Sequence, residues 1–238
     1  MGSKQGVREV LQRTAWFRGL PAALAEGIVE QGMVRRLRDE VVYATGDPPN
    51  GLFALISGEI RVLQTTEEGR QALLMIASPG VWFGETAMID GEPRSSDAMA
   101  IGEVRVLQLS PPVFRRLTAD DSQHYAAFAQ LVCAQYRKAM EYIVTTANLP
   151  LPVRLAQRLV GLAQAHGRLE AGAVILDVRL SQESLAATVA VSRQSLNRAL
   201  KAFEAEGLVS VGYRSLTIHD PQGLERLARS RTLPEDLR

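Results

Sequence analysis

The spacing of hydrophobic and polar residues changes along the chain. In residues 7–36 the apolar positions recur at helical spacing, with a break at Pro21, which predicts short helices. Residues 37–110 instead hold short runs rich in valine, isoleucine and leucine, separated by turn dipeptides such as Gly46-Asp47. Short strands with turn signals at this spacing predict an all-β sandwich or barrel.

A long helical segment follows the predicted strands. Pro111 and Pro112 suit a helix start, and neither glycine nor proline occurs from Phe128 to Ala147. Two interpretations are open: a helix buried in the core, or a helix that pairs with its twin in a dimer. We favour the dimer, because a closed β-domain leaves too little sheet to cover a helix of this length.

The segment NLPLP at residues 148–152 contains two prolines and is the predicted domain boundary. After it the pattern predicts a helix over 153–166, a turn with Gly167 and Gly172, and a short strand over 174–178.

Two helices joined by a tight turn are predicted next. Ser181 can cap the first helix and Ser192 the second, because a serine hydroxyl accepts a hydrogen bond from the first turn of a helix. Small Ala190 stands in the turn, and Gly207 ends the second helix. The residues expected to face inward are Leu185, Ala186, Val189, Leu196, Leu200 and Phe203.

The outward face of the second helix carries side chains that DNA-binding proteins use. They are Arg193, Gln194, Asn197, Arg198 and Lys201. Arginine pairs with guanine, glutamine and asparagine pair best with adenine, and lysine suits phosphate. Any helical hairpin has a polar outer face, but here these residue types accompany a tight turn and two serine caps.

A β-hairpin predicted after this helix, with Tyr213 and Arg214 at its tip, would form a wing. The polar tail 221–238 receives no assignment.

Composition limits the classes of function. Hydrophobic residues make up 46% of the 238 residues and charged residues 22%, which indicates a globular protein. No apolar run approaches the ~20 residues of a membrane span, so we expect no membrane partner. The single cysteine, Cys133, excludes an iron–sulfur site and favours the cytoplasm. The net charge of +1 requires a DNA-binding protein to concentrate positive charge locally. No catalytic triad, metal-ligand cluster or Walker-type loop stands out, so we do not expect an enzyme.

The stretch FGETAMIDGEPRSS at residues 83–96 poses a separate question. Gly84 allows backbone to approach a ligand closely, and Arg94 and Ser95 supply donors for an anion. Glu85 would repel a phosphate and would instead suit a ribose hydroxyl. The alternative is an ordinary turn at Asp90-Gly91 with a surface arginine, and the residues by themselves favour that alternative.

Both segments resemble a known family. Residues 192–198 read S-R-Q-S-L-N-R and resemble the S-R-E-T-V-x-R segment that opens the recognition helix of the CRP/FNR superfamily of bacterial transcription regulators. Gln194 replaces the usual glutamate, so the preferred half-site is expected to differ at that base pair. Residues 83–96 resemble the phosphate-binding cassette of cyclic-nucleotide-binding domains, although Thr86 stands where an apolar residue is usual.

The resemblance implies an α+β architecture. A β jelly-roll sensor domain is expected at 1–111, a dimerisation helix at 112–148, and a winged helix-turn-helix with a tail at 149–238. It implies that the effector, cyclic AMP or cyclic GMP, is bound by Gly84, Glu85, Thr86, Ala87, Arg94, Ser95, Ser96, Ala139 and Met140. It implies that DNA is bound by Ser181, Gln182, Ser192, Arg193, Gln194, Asn197, Arg198, Lys201 and Arg214. A homodimer, palindromic double-stranded DNA and RNA polymerase are the implied partners, with no metal, haem or iron–sulfur cluster.

The position of the nucleotide base departs from the family pattern. Ala139 and Met140 stand where the cyclic-AMP-responsive member has a threonine and a serine, and neither side chain can hydrogen-bond a base. The base is then held by packing and backbone, or the ligand is another nucleotide such as cyclic GMP or a cyclic dinucleotide. A further alternative is a regulator that binds DNA with a vestigial cassette and no cyclic mononucleotide.

Overall fold

The computed structural model describes residues 4–65, 71–119, 121–170, 172–176, 182–212 and 215–230. By its internal contacts the chain divides into two compact units, residues 1–138 and 139–238. Within the described ranges no helix is long and apolar enough to cross a membrane.

The first unit opens with short helices and continues as a β-domain. Its first helices are α1 (Lys4–Leu11), α2 (Ala15–Arg18) and α3 (Ala22–Gln31). Its strands are β1 (Met33–Arg38), β2 (Val41–Tyr43), β3 (Leu52–Thr65), β4 (Gln71–Ala77), β5 (Trp82–Phe83) and β6 (Asp97–Leu109). Helix α4 (Thr86–Asp90) interrupts the strands after β5. Helix α4 therefore places one helical turn directly after Gly84 and Glu85.

Two long strands organise an antiparallel six-stranded sheet. The path runs β1-β6-β3-β4, with β2 paired to β6 and β5 paired to β3. Strand β3 shifts register twice along β6, near Ser57, where Gly58 adopts a left-handed backbone with φ 91°. Such irregularities bend a strand and allow the sheet to curve.

The curved sheet buries a different core on each face, because neighbouring residues of a strand point to opposite sides. On β3, Phe53 and Leu55 join the core that is enclosed by the sheet. Their neighbours Leu52 and Ala54 join the core that lies under the helices. The two residues of β5 also belong to different cores: Trp82 to the core under the helices and Phe83 to the core enclosed by the sheet.

Two helices follow the sheet: α5 (Pro111–Ala119) and α6 (Ser122–Asn148). Helix α6 presents two different faces. Phe128 and Leu131 are buried in the first unit's core. Tyr136, Met140 and Ile143 are 62%, 37% and 53% exposed. Their spacing of four and three residues places them on one stripe of the helix. The core interpretation is therefore confirmed for one face, and dimer pairing stays a prediction for the other.

Within its described residues the second unit contains the end of α6, four further helices and two pairs of antiparallel strands. Helix α7 (Leu151–His166) leads into strands β7 (Gly167–Glu170) and β8 (Ala173–Leu176). Helices α8 (Gln182–Thr188) and α9 (Arg193–Ala205) precede strands β9 (Val209–Gly212) and β10 (Ser215–Ile218), and α10 (Pro221–Arg229) follows. The strands form one antiparallel sheet in the order β7-β8-β10-β9.

One detail of the second unit differs from the sequence prediction, a second lies partly outside the described residues, and a third had received no assignment. Gly167 begins strand β7 rather than a turn, because residues 167–170 pair with β8 across a short connection. Strand β8 ends at Leu176, and residues 177–178 lie outside the described ranges. Part of the unassigned tail forms α10, whose Leu224 and Leu227 are buried in the unit's core. Asp220 caps this helix by accepting a hydrogen bond from Gly223 N at 2.8 Å.

Candidate functional site

The cassette is formed where β5 ends and helix α4 begins. Gly84 has φ 79°, a conformation that residues with a Cβ rarely adopt. A Cβ built on Gly84 would lie 2.8 Å from Nη1 of Arg94 and 3.2 Å from the Tyr43 ring. Glycine is thus required here for two reasons, the backbone turn and the close approach of the arginine.

Arg94 is buried, with only 3% of its surface exposed. Its Nη1 donates to Gly84 O at 2.6 Å, and its Nη2 donates to Asn50 Oδ1 at 2.7 Å and to Gly51 O at 2.5 Å. All three acceptors are uncharged. The Nε of Arg94 is buried and has no hydrogen-bond partner among the described residues. The interpretation of Arg94 as an incidental surface arginine is therefore wrong.

Tyr43 forms the floor beneath the guanidinium. The Arg94 Cζ lies 4.1 Å from the centre of the Tyr43 ring, which is the geometry of a cation–π contact. Burial raises the pKa of the Tyr43 hydroxyl to about 12, although the positive charge of Arg94 opposes the rise. Burial lowers the pKa of Arg94, because burial disfavours the charged form of either group. The guanidinium remains charged, because arginine does not lose its proton in proteins.

Glu85 is the second buried ionisable group of the cassette, with 9% exposure. Burial raises the pKa of its carboxyl group, and hydrogen bonding to backbone and the charge of Arg94 partly offset the rise. A buried carboxylate requires a donor. The cassette therefore combines an arginine that forms no ion pair with the described residues and a carboxylate that a hydroxyl donor would stabilise.

The other predicted ligand residues vary in exposure. Ala87 is buried, Ser96 is half-buried, and Thr86 and Ser95 are exposed on the same loop and helix. Ser96 hydrogen-bonds the Tyr43 side chain. Ala139 and Met140 lie on exposed positions of α6 in the second unit.

Sequence reasoning missed Tyr43 and Asn50. Tyr43 is the last residue of β2, and Asn50 lies in the turn before β3, both far from the cassette in sequence. Two backbone hydrogen bonds join that turn to the cassette, from Gly46 N to Arg94 O and from Arg94 N to Asp47 O, each 2.8 Å long. The one sequence signal was the Gly46-Asp47 turn itself, which does not identify its partner.

The helix pair of the second unit has the predicted geometry. Ser192 caps α9, with its Oγ accepting from Ser195 N at 3.2 Å. Ala190 takes φ 53°, a left-handed conformation that turns the chain sharply between the helices. The predicted inward residues are all buried. The predicted helix-turn-helix and its serine cap at Ser192 are confirmed.

The outward face of α9 is polar and largely exposed. Arg193, Gln194, Arg198 and Lys201 are exposed with Ser192, while Asn197 and Gln182 are half-buried. Arg193 Nε lies 3.5 Å from Gln182 Oε1. Within the described ranges, Arg193, Arg198 and Lys201 take part in no ion pair, so their charges face solvent uncompensated. Ser181, Tyr213 and Arg214 lie outside the described residues.

The wing is held against the helix by a contact that the sequence did not suggest. The side chain of Glu204, near the end of α9, accepts a hydrogen bond from Val211 N of β9 at 2.8 Å. Strands β9 and β10 pair over four residues, from Ser215↔Gly212 to Ile218↔Val209. The predicted hairpin is confirmed, and α8, α9, β9 and β10 together form a winged helix-turn-helix.

Known protein families match both parts of the chain. A family described as cyclic nucleotide-binding domain matches residues 33–121, and one described as Crp-like helix-turn-helix domain matches residues 153–227.

Individual relatives extend over nearly the whole chain. A CRP-like cAMP-activated global transcriptional regulator of Mycobacterium tuberculosis is 32% identical over 222 residues, which cover 93% of this chain and 99% of the relative. The transcriptional regulator LdrP of Thermus thermophilus is 30% identical, over 83% of this chain and 97% of its own. The crystal structure of a CRP-family transcriptional regulator from Thermus thermophilus is 29% identical with a TM-score of 0.69, over 82% of this chain and 97% of that chain. The chain therefore belongs to the CRP/FNR family of transcription regulators, with a cyclic nucleotide-binding domain followed by a Crp-like helix-turn-helix domain.

Proposed function

We propose that this protein is a ligand-responsive, sequence-specific DNA-binding transcription regulator that senses a cyclic nucleotide through the cassette at residues 83–96. The observation that carries the proposal is the buried guanidinium of Arg94, whose hydrogen bonds to the described residues all go to uncharged acceptors and whose Nε has no partner among them. Removing a charge from water is costly unless an opposite charge joins it, so this arrangement favours an anion.

The chemistry of the neighbouring carboxyl selects among anions. A cyclic nucleotide brings one phosphodiester charge and one ribose 2′-hydroxyl. Arg94 binds the phosphate, and Glu85 accepts a hydrogen bond from the ribose hydroxyl. Inorganic phosphate lacks a sugar for Glu85 and would repel its carboxylate.

Cyclic AMP is the first ligand to test, because the relative from Mycobacterium tuberculosis is described as cAMP-activated. The base pocket leaves cyclic GMP open, since Ala139 and Met140 offer no side-chain hydrogen bond to either purine. In our proposal the base is held by packing and backbone contacts, and discrimination between the two purines is weak.

The lack of a hydrogen-bonding side chain at Ala139 and Met140 also favours a second candidate function. A regulator whose cassette is vestigial, or whose ligand is a cyclic dinucleotide, needs no polar side chain at the positions that receive the base of a mononucleotide. Such a protein would bind its DNA without cyclic AMP or cyclic GMP.

We propose a homodimer formed along α6. Tyr136, Met140 and Ile143 form an exposed apolar stripe, and Ala129 and Ala147 continue it at heptad spacing. Apolar residues at this spacing pair parallel helices in coiled coils. Tyr136→Glu is expected to convert the dimer to a monomer, measured by light scattering after size-exclusion chromatography. Lys138→Glu, an exposed change on the same helix, serves as the control.

The dimer presents two α9 helices to palindromic double-stranded DNA. Each recognition helix enters a major groove, and the half-sites lie one helical turn apart, ~34 Å. We further propose RNA polymerase as the partner through which bound protein regulates transcription.

The deciding experiment measures ligand and DNA binding on one preparation. Isothermal titration calorimetry with cyclic AMP, cyclic GMP and cyclic di-GMP identifies the effector. Selection of bound sequences from random DNA, with and without that effector, gives the site and its dependence on ligand. A palindromic site bound more tightly with a cyclic mononucleotide supports the proposal. An equally tight site without any nucleotide supports the second candidate.

A further inference from the structure

The side chain of Asn50 is fixed by contacts on both of its polar atoms. Its Oδ1 accepts from Arg94 Nη2 at 2.7 Å, and its Nδ2 donates to Val42 O at 3.1 Å. Its own backbone carbonyl accepts from Gln108 Nε2 at 2.8 Å. These contacts hold the amide oxygen where it meets the guanidinium.

Asn50 differs from the other acceptors of Arg94. Gly84 O and Gly51 O belong to the backbone, and moving either would disturb the chain beside β5 or β3. Asn50 Oδ1 is the single side-chain acceptor among the three hydrogen bonds described for Arg94. A ligand can use the unpartnered Nε of Arg94 without displacing any acceptor. When it also takes an Nη donor, Asn50 Oδ1 is the acceptor that can move without disturbing the backbone.

The uncharged amide is suited to this exchange. An aspartate at position 50 would form an ion pair with Arg94 and neutralise the charge that attracts a phosphate. An apolar residue would leave the Nη2 donor short of an acceptor and ready for a ligand. An asparagine satisfies the donor in the unliganded protein and yet adds no negative charge beside Arg94.

We propose that Asn50 is an intramolecular competitor of the ligand phosphate for Arg94 and thereby sets the concentration at which the regulator responds. The inference rests on the proposed function, because it takes a cyclic nucleotide as the ligand of Arg94. Asn50 is a positioning residue in this scheme, since it acts through the arginine.

The test compares two substitutions that change binding in opposite directions. Calorimetric titration with cyclic AMP and cyclic GMP is expected to show about tenfold tighter binding for Asn50→Ala, the effect of one hydrogen bond to a charged group. Asn50→Asp is expected to bind about tenfold more weakly. Gln108→Ala is the control, because it removes the hydrogen bond to the Asn50 backbone carbonyl and leaves the Asn50 amide and its contact with Arg94 in place.

A residue with only a structural role would not separate the substitutions in this way. If Asn50 merely supports the turn, both variants bind less tightly or unchanged, and the competitor role is overturned. If the wild type binds a nucleotide and Asn50→Ala binds no more tightly, the competitor role fails while the proposed function stands. If neither protein binds either nucleotide, the proposed function fails as well.

A second measurement applies even where a variant is unstable. In wild-type protein labelled with ¹⁵N-arginine, the Nη signals of Arg94 are expected to show hindered rotation. Cyclic AMP should shift them to new positions, because Nη2 exchanges the amide for the phosphate. Nη signals that keep their positions at saturating nucleotide would show that Arg94 retains its amide contact, and would overturn the exchange.

Discussion

Gly84 and Gly91 stand at the two ends of α4 and separate two effects that a glycine can have. Both take left-handed backbone, with φ 79° and 78°. A Cβ on Gly84 would approach Nη1 of Arg94, whereas a Cβ on Gly91 would have no heavy atom within 4 Å. The pair therefore distinguishes backbone strain from the steric requirement of the buried arginine.

Gly84→Ala is expected to abolish nucleotide binding, because the new methyl group displaces Arg94 from Gly84 O. Gly91→Ala is expected to keep nucleotide binding. Each substitution also lowers the free energy of unfolding by about 1–2 kcal/mol through its left-handed backbone. Calorimetric titration and thermal unfolding measure the two effects. Loss of binding in both variants would attribute the effect to the backbone and not to Arg94.

Glu85→Gln tests the carboxyl in both of its roles. Burial raises the pKa of Glu85, so the native state holds its proton more tightly than the unfolded chain. The stability from this proton is complete below the ordinary glutamate pKa of ~4.3 and is lost as the pH rises through the higher folded pKa. Glutamine cannot ionise, so Glu85→Gln avoids the stability that the wild type loses when its buried carboxyl ionises. The melting temperature of the variant should therefore exceed that of the wild type by about 2–4 °C at pH 7.

The excess should shrink as the pH falls toward 4, because the wild-type carboxyl is then protonated. The variant should also bind cyclic AMP more weakly, since an amide accepts the ribose hydroxyl less strongly than a carboxylate. Unfolding curves at several pH values, with and without nucleotide, measure both effects. A melting temperature below that of the wild type at pH 7 would show that the carboxylate already has a stabilising partner.

The sequence pattern predicted some residues of the cassette and not others. The motif at 83–96 predicted that Arg94 and Glu85 belong to one site, and both are buried on one short loop and helix. It did not predict Tyr43 or Asn50, because their contacts with Arg94 join positions 44 to 51 residues apart. Such contacts depend on how the sheet closes, which a local pattern does not encode.

For helix α6 the sequence predicted the length of the helix but not which of its faces is buried. Its length followed from the absence of glycine and proline, but its apolar residues did not follow one stripe in the sequence. The structure resolves them into a face buried in the first unit and an exposed stripe containing Tyr136 and Ile143. Strand β7 was missed because its four residues are exposed and carry no apolar pattern. Helix α10 was missed because its short apolar pattern becomes informative only once Leu224 and Leu227 pack in the core that they share with α7.

Helix α6 is also attached to the cassette by two hydrogen bonds. Gln135 Nε2 donates to Trp82 O of β5 at 3.1 Å, and Tyr125 OH donates to Ile89 O of α4 at 3.2 Å. These bonds join both elements that flank Gly84 to one helix. A ligand that moves the cassette therefore acts directly on α6.

Gln135→Ala is expected to weaken the coupling between nucleotide and DNA binding, because it removes one of these attachments. The increase in DNA affinity on adding cyclic AMP should fall by about threefold, and stability should fall by about 1 kcal/mol. Gln130→Ala changes an exposed residue of the same helix and should alter neither quantity. DNA titrations with and without nucleotide provide the measurement, and an undiminished increase in Gln135→Ala would place the coupling elsewhere.

Charge must be considered over the whole molecule, because the net charge is only +1. Such a small excess gives little general attraction to DNA, so binding depends on where the positive side chains lie. Helix α9 carries Arg193, Arg198 and Lys201 without ion pairs among the described residues, whereas the arginines of α10 are paired, Arg226 with Asp220 and Arg229 with Glu225. Among the described residues, α9 therefore carries three positive side chains without ion pairs, on the face that sequence analysis assigned to DNA.

This arrangement predicts different results for equal changes in charge. Lys201→Ala should weaken binding to all DNA sequences and reduce the slope of log K against log salt by about 0.9 for each lost phosphate contact. Arg193→Ala should cost about 1–3 kcal/mol on the preferred site and relax the choice of one base pair. Arg13→Ala, an exposed change in the first unit, removes the same charge and should leave the slope unchanged. If all three variants reduced the slope equally, DNA would be responding to total charge, and the recognition surface on α9 would have to be abandoned.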